Sequence, residues 1–531
     1  MSDMRGSLKE LESICRDAAQ INKDTLMKIL SDSGDTEFGR VHGFKDIDSA
    51  DSYRKAVPVS VYKDYSQYIA RMRVGEKNLL MPYPVCRWAT SSGTLGGQKY
   101  IPLTDEALKR YTRYIMLPYS IAGIGPDARK LYVSVIAPFT KKEMTITSAL
   151  FQYLQERGEY HGESYAEGMD LLFTDSLKDY KSIEYCKARV ALSDPDIQVF
   201  QSVFIYDLIL IFEYIKFHYD MIISDIENGT VSVELPEDVK KHLLSMPVPD
   251  REWLRECRRI LSDDSIETYV PCIWKGLKLL IGIFGEAFPG QEETLRNYCG
   301  DVPLYAFIYA SSECVESTAF RLDQPDYLMI PGNGFYEFRP KGESDRKTVL
   351  PEEVKVGGVY ELIYTTFGGL YRYASGDYLK ITGFVGQSPV FRMCRRTTLV
   401  FNITGEKLEY ERITEAVYAL RGRFWNKRIV YSVGLDYSGS PARYQLFVEG
   451  DVDPEKAGEF SKALDELLQK GNVDYEDLRG IGNLAELSVV CVSKGSHENC
   501  SAENKPFIPA QRKPLQALTE KDRQFMLKRA L

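Results

Sequence analysis

Apolar residues fall at helical spacing through residues 7–30, at Leu8, Leu11, Ile14, Ile21, Leu26 and Leu30, and predict a helical opening. A second, irregular helical stretch is predicted over residues 53–69, near Pro58. Short apolar runs of strand length follow, at 85–88, 100–103, 131–136, 277–284, 304–310, 334–338, 359–366 and 378–384. Helical stretches separate the earlier runs, and glycine turns crowd the later ones. That pattern predicts a mixed α/β region ending in a β-rich portion. Residues 199–217 are apolar enough to imitate a membrane span, but Asp207, Glu213 and Lys216 would be costly in a bilayer. They are expected to form a buried helix.

After about residue 395 the pattern changes. A strand is predicted at 397–403, a helix at 408–420, strands at 428–434 and 443–448, a helix capped by Asp453-Pro454, and a last strand at 487–492. The order β-α-β-β-α-β suggests a small ferredoxin-like α+β domain. The expected organisation is a large α/β domain over residues 1–395 and a small carboxy-terminal domain over 396–531. A chain of 531 residues is too long for one compact core.

Between the runs at 85–88 and 100–103 lies Thr90-Ser91-Ser92-Gly93-Thr94-Leu95-Gly96-Gly97-Gln98-Lys99. Small residues let a backbone approach a phosphate closely, and hydroxyls and a lysine add donors and charge. The flanks predict a strand–turn–strand connection, not the strand-to-helix turn of a dinucleotide fold. Lys99 follows Gln98 and precedes Tyr100, so the Walker spacing is not met.

A net charge of −9 gives no general attraction to nucleic acid or anionic lipid. The ten cysteines form no Cys-x-x-Cys pair, and the five histidines no His-Glu-x-x-His pattern, which disfavours structural zinc. The first residues carry no apolar signal core, and free thiols suit a reducing cytoplasm. Oligomeric state is not readable.

Two further motifs carry chemistry. Tyr309-Ala310-Ser311-Ser312-Glu313 ends an apolar strand, where a carboxylate beside a phosphate loop can bind magnesium. Tyr371-Arg372-Tyr373 leads to Gly376-Asp377, where an acidic side chain after a glycine turn suits the two hydroxyls of a ribose. Each alone is as ordinary as a turn or a cap. Their joint order resembles the adenylate-forming superfamily, and more closely the acyl-acid amido synthetases first described in plants as the Gretchen Hagen three family. Gly334-Phe335-Tyr336-Glu337-Phe338 and Val390-Phe391-Arg392 fit that family too, and the resemblance spans roughly residues 85–410.

The resemblance implies that Ser91, Ser92, Gly93 and Thr94 hold the β- and γ-phosphates of ATP, with Lys99 nearby. Tyr309 and Ser312 would border adenine and the α-phosphate, Glu313 would bind Mg2+, and Asp377 would hold the ribose. Arg395 and Arg396 would mark a hinge, Arg396 also joining the ATP-binding set. Lys407 matches a lysine beyond the hinge, and Lys505 or Lys513 the late catalytic lysine, with Lys505 preferred. The Leu95-Gly96-Gly97 stretch and the sequence around Lys505 depart from the family pattern, and no sharp motif marks an acyl pocket within 115–220.

Three readings follow. One is an amido synthetase that adenylates a carboxylic acid and transfers the acyl group to an amine, an amino acid by preference. Another is an acyl-coenzyme A ligase of the same superfamily. A third is a non-catalytic nucleotide-binding protein. None identifies the acid.

Overall fold

The computed structural model describes residues 7–91, 99–125, 128–134, 143–157, 164–166, 176–177, 179–285, 288, 291–344, 347–394, 399–404, 406–425, 429–504 and 515–531. The helical opening is two helices, Leu8–Arg16 and Ala18–Ser33, the first closed by a Ser7–Glu10 capping box. The second helical region is likewise split, into Ala50–Ala56 and Tyr62–Arg73, because Pro58 lies between them.

A five-stranded parallel sheet follows. Its spatial order is Ser164–Tyr165, Arg129–Tyr132, Val199–Phe204, Leu279–Ile283, Leu304–Tyr305. Residues 199–217 are therefore not one helix: Val199–Phe204 is a sheet strand, and the helix Ile205–Asn228 begins after it. Strand and helix are both buried here, so an unbroken apolar run hides the boundary.

The run predicted at 304–310 is also divided. Leu304–Tyr305 closes the parallel sheet, the chain turns at Phe307 (φ +62°), and Ile308–Ala310 opens a second sheet. That sheet is antiparallel with seven strands, in the order Phe335–Pro340, Val359–Thr365, Tyr373–Val385, Ser388–Met393, Tyr327–Met329, Val315–Ala319, Ile308–Ala310. One apolar core runs from Leu26 to Phe391 through both sheets.

A separate core gathers residues from Phe401 to Cys491. There Ile429–Asp436, Arg443–Gly450 and Ser488–Val492 form a three-stranded sheet, the first pair antiparallel and the second parallel. The strand expected at 397–403 does not join it among the described residues. Val400–Phe401 instead pairs with Leu408–Glu409 as a hairpin. Lys407 turns the chain back at φ +47°, and the Glu406 carboxylate accepts from the N–H groups of Ile403 (2.6 Å) and Thr404 (2.9 Å). Of the expected ferredoxin-like order, the helices and three strands are present, with Ser488–Val492 beside Arg443–Gly450.

Candidate active site

The strands flanking the hydroxyl-rich loop are present, and residues 92–98 between them lie outside the described residues. Arg87–Ser91 and Lys99–Leu103 pair antiparallel with Ser91 opposite Lys99. Ser92, Gly93 and Thr94 lie outside the described residues, and Ser91 is described by its backbone alone. Lys99 is thus fixed at the start of a strand. Its Nζ donates to the Tyr373 hydroxyl at 3.3 Å and lies 3.9 Å from Glu313 Oε1.

Ser311 to Cys314 form the turn of a hairpin between Ile308–Ala310 and Val315–Ala319. The Ser311 N–H donates to the Cys314 carbonyl at 2.9 Å, and the Cys314 N–H to the Ser311 hydroxyl at 3.2 Å. Tyrosines surround the turn. Tyr373 donates to Glu313 Oε1 at 2.8 Å, Tyr111 to the Glu313 carbonyl at 3.5 Å, and the Tyr364 hydroxyl lies 3.1 Å from that of Ser311. Glu313 is 9 % exposed, with Tyr373 and Lys99 both directed at it, while Ser312 is half-buried and makes no side-chain hydrogen bond among the described residues. Lys99, Tyr373 and Glu313 form one chain of donors ending on a carboxylate, a charge-assisted arrangement.

Gly376-Asp377 lies not in a turn between strands but in a bulge within the single long strand Tyr373–Val385. Across from it, Glu361 faces Tyr378 and Ile363 faces Ala374, so Ser375, Gly376 and Asp377 bulge out. Gly376 takes φ +76°, a conformation glycine adopts without strain. The bulge aims Asp377 inward, where it is 3 % exposed and Oδ2 accepts from the Tyr309 hydroxyl at 2.7 Å. The Tyr309 ring packs edge-on against Phe391 at 5.6 Å.

The remaining residues of the Tyr371-Arg372-Tyr373 motif hold the frame. Arg372, at φ +47°, donates from Nε to Glu337 Oε2 at 2.9 Å and from Nη1 to the Val57 carbonyl at 2.8 Å. Tyr371 stacks on Phe38 at 4.7 Å and donates to the Leu80 carbonyl.

The structure thus brings together Lys99, Tyr309, Ser312, Glu313 and Asp377. It does not bring Lys407 to them: that side chain is exposed on the Val400–Glu409 hairpin of the second core. Arg395, Arg396, Lys505 and Lys513 lie outside the described residues. Sequence reasoning missed Tyr111, Tyr364 and Glu316 around the turn. It also missed a trio in the second core: Ser432 Oγ lies 3.0 Å from His497 Nε2, and His497 Nδ1 lies 2.9 Å from Glu449 Oε2. Ser432 is completely buried, so the trio is closed to substrate. Glu449 also accepts from the N–H groups of Gly495 (2.5 Å) and His497 (2.8 Å), capping the helix Ser496–Asn504.

Among the described residues no three His, Cys, Asp or Glu side chains gather so as to hold a metal ion. Glu313 offers a carboxylate, a donor that fits a hard cation bound largely through phosphate oxygens. No described helix is long and apolar enough to cross a membrane.

Models of the GH3 family match the chain in three stretches: its N-terminal domain at residues 7–304, its central domain at 327–396 and its C-terminal domain at 411–514. The chain belongs to the GH3 family. Among its GH3 relatives are a jasmonoyl–L-amino acid synthetase of Oryza sativa subsp. japonica, 26 % identical over 92 % of this chain and 90 % of the relative. An indole-3-acetic acid-amido synthetase of Arabidopsis thaliana is 25 % identical over 93 % and 88 %. The solved structure of the AtGH3.15 acyl acid amido synthetase in complex with 2,4-DB matches with a TM-score of 0.82 at 24 % identity, covering 99 % of this chain and 96 % of that one. That likeness shows the GH3 fold.

Proposed function

We propose that this chain is an acyl-acid amido synthetase: it activates a carboxylic acid with ATP and transfers the acyl group to the amine of an amino acid. The observation that carries this reading is the meeting of three distant motifs, through Lys99, Glu313 and Asp377, in a chain of GH3 sequence. The amido synthetases among its relatives support an amine as acceptor over a thiol.

The chemistry has two steps. A carboxylate oxygen of the acid attacks the α-phosphorus of ATP, the bond to the bridging oxygen breaks, and pyrophosphate leaves. The amine nitrogen then attacks the acyl carbon of the mixed anhydride, AMP leaves, and the nitrogen loses a proton. The barrier to the first step is largely charge repulsion. Lys99 lowers it by placing a cation at the start of the strand that follows the hydroxyl-rich loop. Asp377, oriented by Tyr309, accepts from the ribose hydroxyls, and Ser312 offers an unengaged hydroxyl toward phosphate. Glu313 is the residue that would hold Mg2+, which supplies neutralising charge to the phosphate oxygens when bound. No protein nucleophile is needed. The division of the chain near residue 395, with Arg395 and Arg396 as hinge, gives a small domain that presents Lys407 and Lys505 or Lys513 in turn and keeps water from the anhydride.

The test is pyrophosphate release from ATP and magnesium across a panel of carboxylic acids, with and without pooled amino acids. Acid-dependent release with an amide among the products supports the reading. A thioester formed only with coenzyme A, or nucleotide bound without release under every condition, overturns it.

A further inference from the structure

Behind the Ser311–Cys314 turn lies a carboxyl group that the chemistry above does not use. Glu316 is the second residue of the strand Val315–Ala319 and is 0 % exposed. Its Oε1 accepts from the Ser311 hydroxyl at 3.0 Å, and its Oε2 has no hydrogen-bond partner among the described residues. The Ser311 hydroxyl also accepts from the Cys314 N–H and lies 3.1 Å from the Tyr364 hydroxyl. Tyr364 in turn stacks on Tyr373 with ring centres 5.6 Å apart, and Tyr373 donates to Glu313. We propose that Glu316 is a positioning residue for adenylation: through Ser311 and the Tyr364–Tyr373 stack, its carboxyl group sets the turn that presents Ser312 and Glu313 to the nucleotide. This rests on the adenylating role of the site.

The chemistry of the position supports it. Burial pushes the Glu316 carboxyl well above the ordinary carboxylate range against the opposing bond from Ser311, and the charges of Asp377 and Glu313 push it the same way. A neutral acid braces the turn without adding a third negative charge beneath a polyphosphate site. An aliphatic side chain would fill the space yet remove the carboxyl acceptor at 3.0 Å, leaving the Ser311 hydroxyl only the Cys314 carbonyl at 3.5 Å and the Tyr364 hydroxyl at 3.1 Å. The turn would then keep its tyrosine contacts but lose the bond that fixes its first residue.

The experiment compares wild type, Glu316→Gln, Glu316→Leu, Ser311→Ala and the double variant Ser311→Ala/Glu316→Leu. The readouts are KM for ATP and kcat of acid-dependent pyrophosphate release, MgATP affinity at equilibrium, and melting temperature. Gln keeps size, neutrality and an acceptor for Ser311, so Glu316→Gln stays within about twofold of wild type from pH 6 to 9. Glu316→Leu and Ser311→Ala each lose about tenfold in kcat/KM for ATP, and the double variant loses no more than the worse single one. Glu316→Gln as impaired as Glu316→Leu would show that the charge itself is required. A lowered melting temperature with unchanged kcat and KM would show mere packing. Either result overturns the proposal. Should the wild type release no pyrophosphate with any acid, the functional reading fails and MgATP affinity decides: a loss of about tenfold in Ser311→Ala and Glu316→Leu but not in Glu316→Gln upholds the positioning role, and equal affinities end it.

Discussion

The Tyr309 hydroxyl donates to Asp377 Oδ2 at 2.7 Å, joining the edge strand Ile308–Ala310 of the antiparallel sheet to the bulge of the long strand Tyr373–Val385. On the proposed reading, the pair sets the direction in which the carboxylate meets the ribose hydroxyls. Asp377→Ala is expected to raise KM for ATP by about tenfold or more, since hydrogen bonds to a charged group are worth about 1.5–3 kcal/mol each. Tyr309→Phe, which leaves the carboxylate but removes this donor from it, is expected to raise KM by about threefold. An unchanged KM in both variants would remove the ribose role.

Glu313 is reached by Tyr373 at 2.8 Å and by Lys99 at 3.9 Å, so removing its charge frees both. Glu313→Gln is expected to slow adenylation on the order of 100-fold with the circular dichroism spectrum preserved. Near-normal turnover in this variant would exclude Glu313 from the reaction.

The Arg372–Glu337 pair is a stability element, not a catalytic one. Both side chains are buried, at 3 % and 0 % exposure, and Arg54 reaches Glu337 Oε1 at 3.1 Å. Arg372→Leu leaves the Glu337 charge short of its principal partner and is expected to cost about 3–5 kcal/mol in urea unfolding. A loss below about 1 kcal/mol would mean that Arg54 alone satisfies Glu337.

Acid should loosen the second core at the Glu449 cap. Burial alone would raise the Glu449 carboxyl, but the His497 ring and the N–H groups of His497 and Gly495 outweigh it and hold the value below the ordinary 4.5. Such a group contributes its full stability above pH 4.5 and loses it as pH falls toward the lower folded value. Glu449→Gln is therefore expected to lower the melting temperature at neutral pH and to flatten the decline between pH 5 and 3. Parallel curves for the two proteins would contradict this.

The parts legible in the sequence were those whose information is local. The strands flanking the hydroxyl-rich loop and the Ser311-Ser312-Glu313 and Gly376-Asp377 motifs announce themselves by residues needed at consecutive positions. The boundary at Phe204 did not, because a buried strand followed by a buried helix has no change in polarity to mark it. A Gly-Asp pair serves a turn and a bulge equally, so the long strand Tyr373–Val385 was read too short. Arg372 drew notice as part of a motif, yet its work is to neutralise Glu337, more than 30 residues away in sequence. Glu316 left one signal: a charged residue in a strand whose other four members, Val315, Ser317, Thr318 and Ala319, are small or apolar and equally buried. The 35 tyrosines were visible as a count, but their gathering around one turn was not.

That gathering governs when in the life of the molecule the site exists. Tyr111 reaches Glu313 from 202 residues earlier in the chain, Tyr373 from 60 residues later, and Tyr364 comes from a strand between. Four residues of turn have no local reason to hold a carboxylate at a fixed spot, and long-range closures form slowly. A nascent chain that has emerged as far as Glu313 carries the whole motif in its letters but none of its geometry. The turn acquires its grip on Glu313 only when the strand containing Tyr373 has been made and docked, so on the proposed reading nucleotide chemistry is withheld until the large sheet is complete.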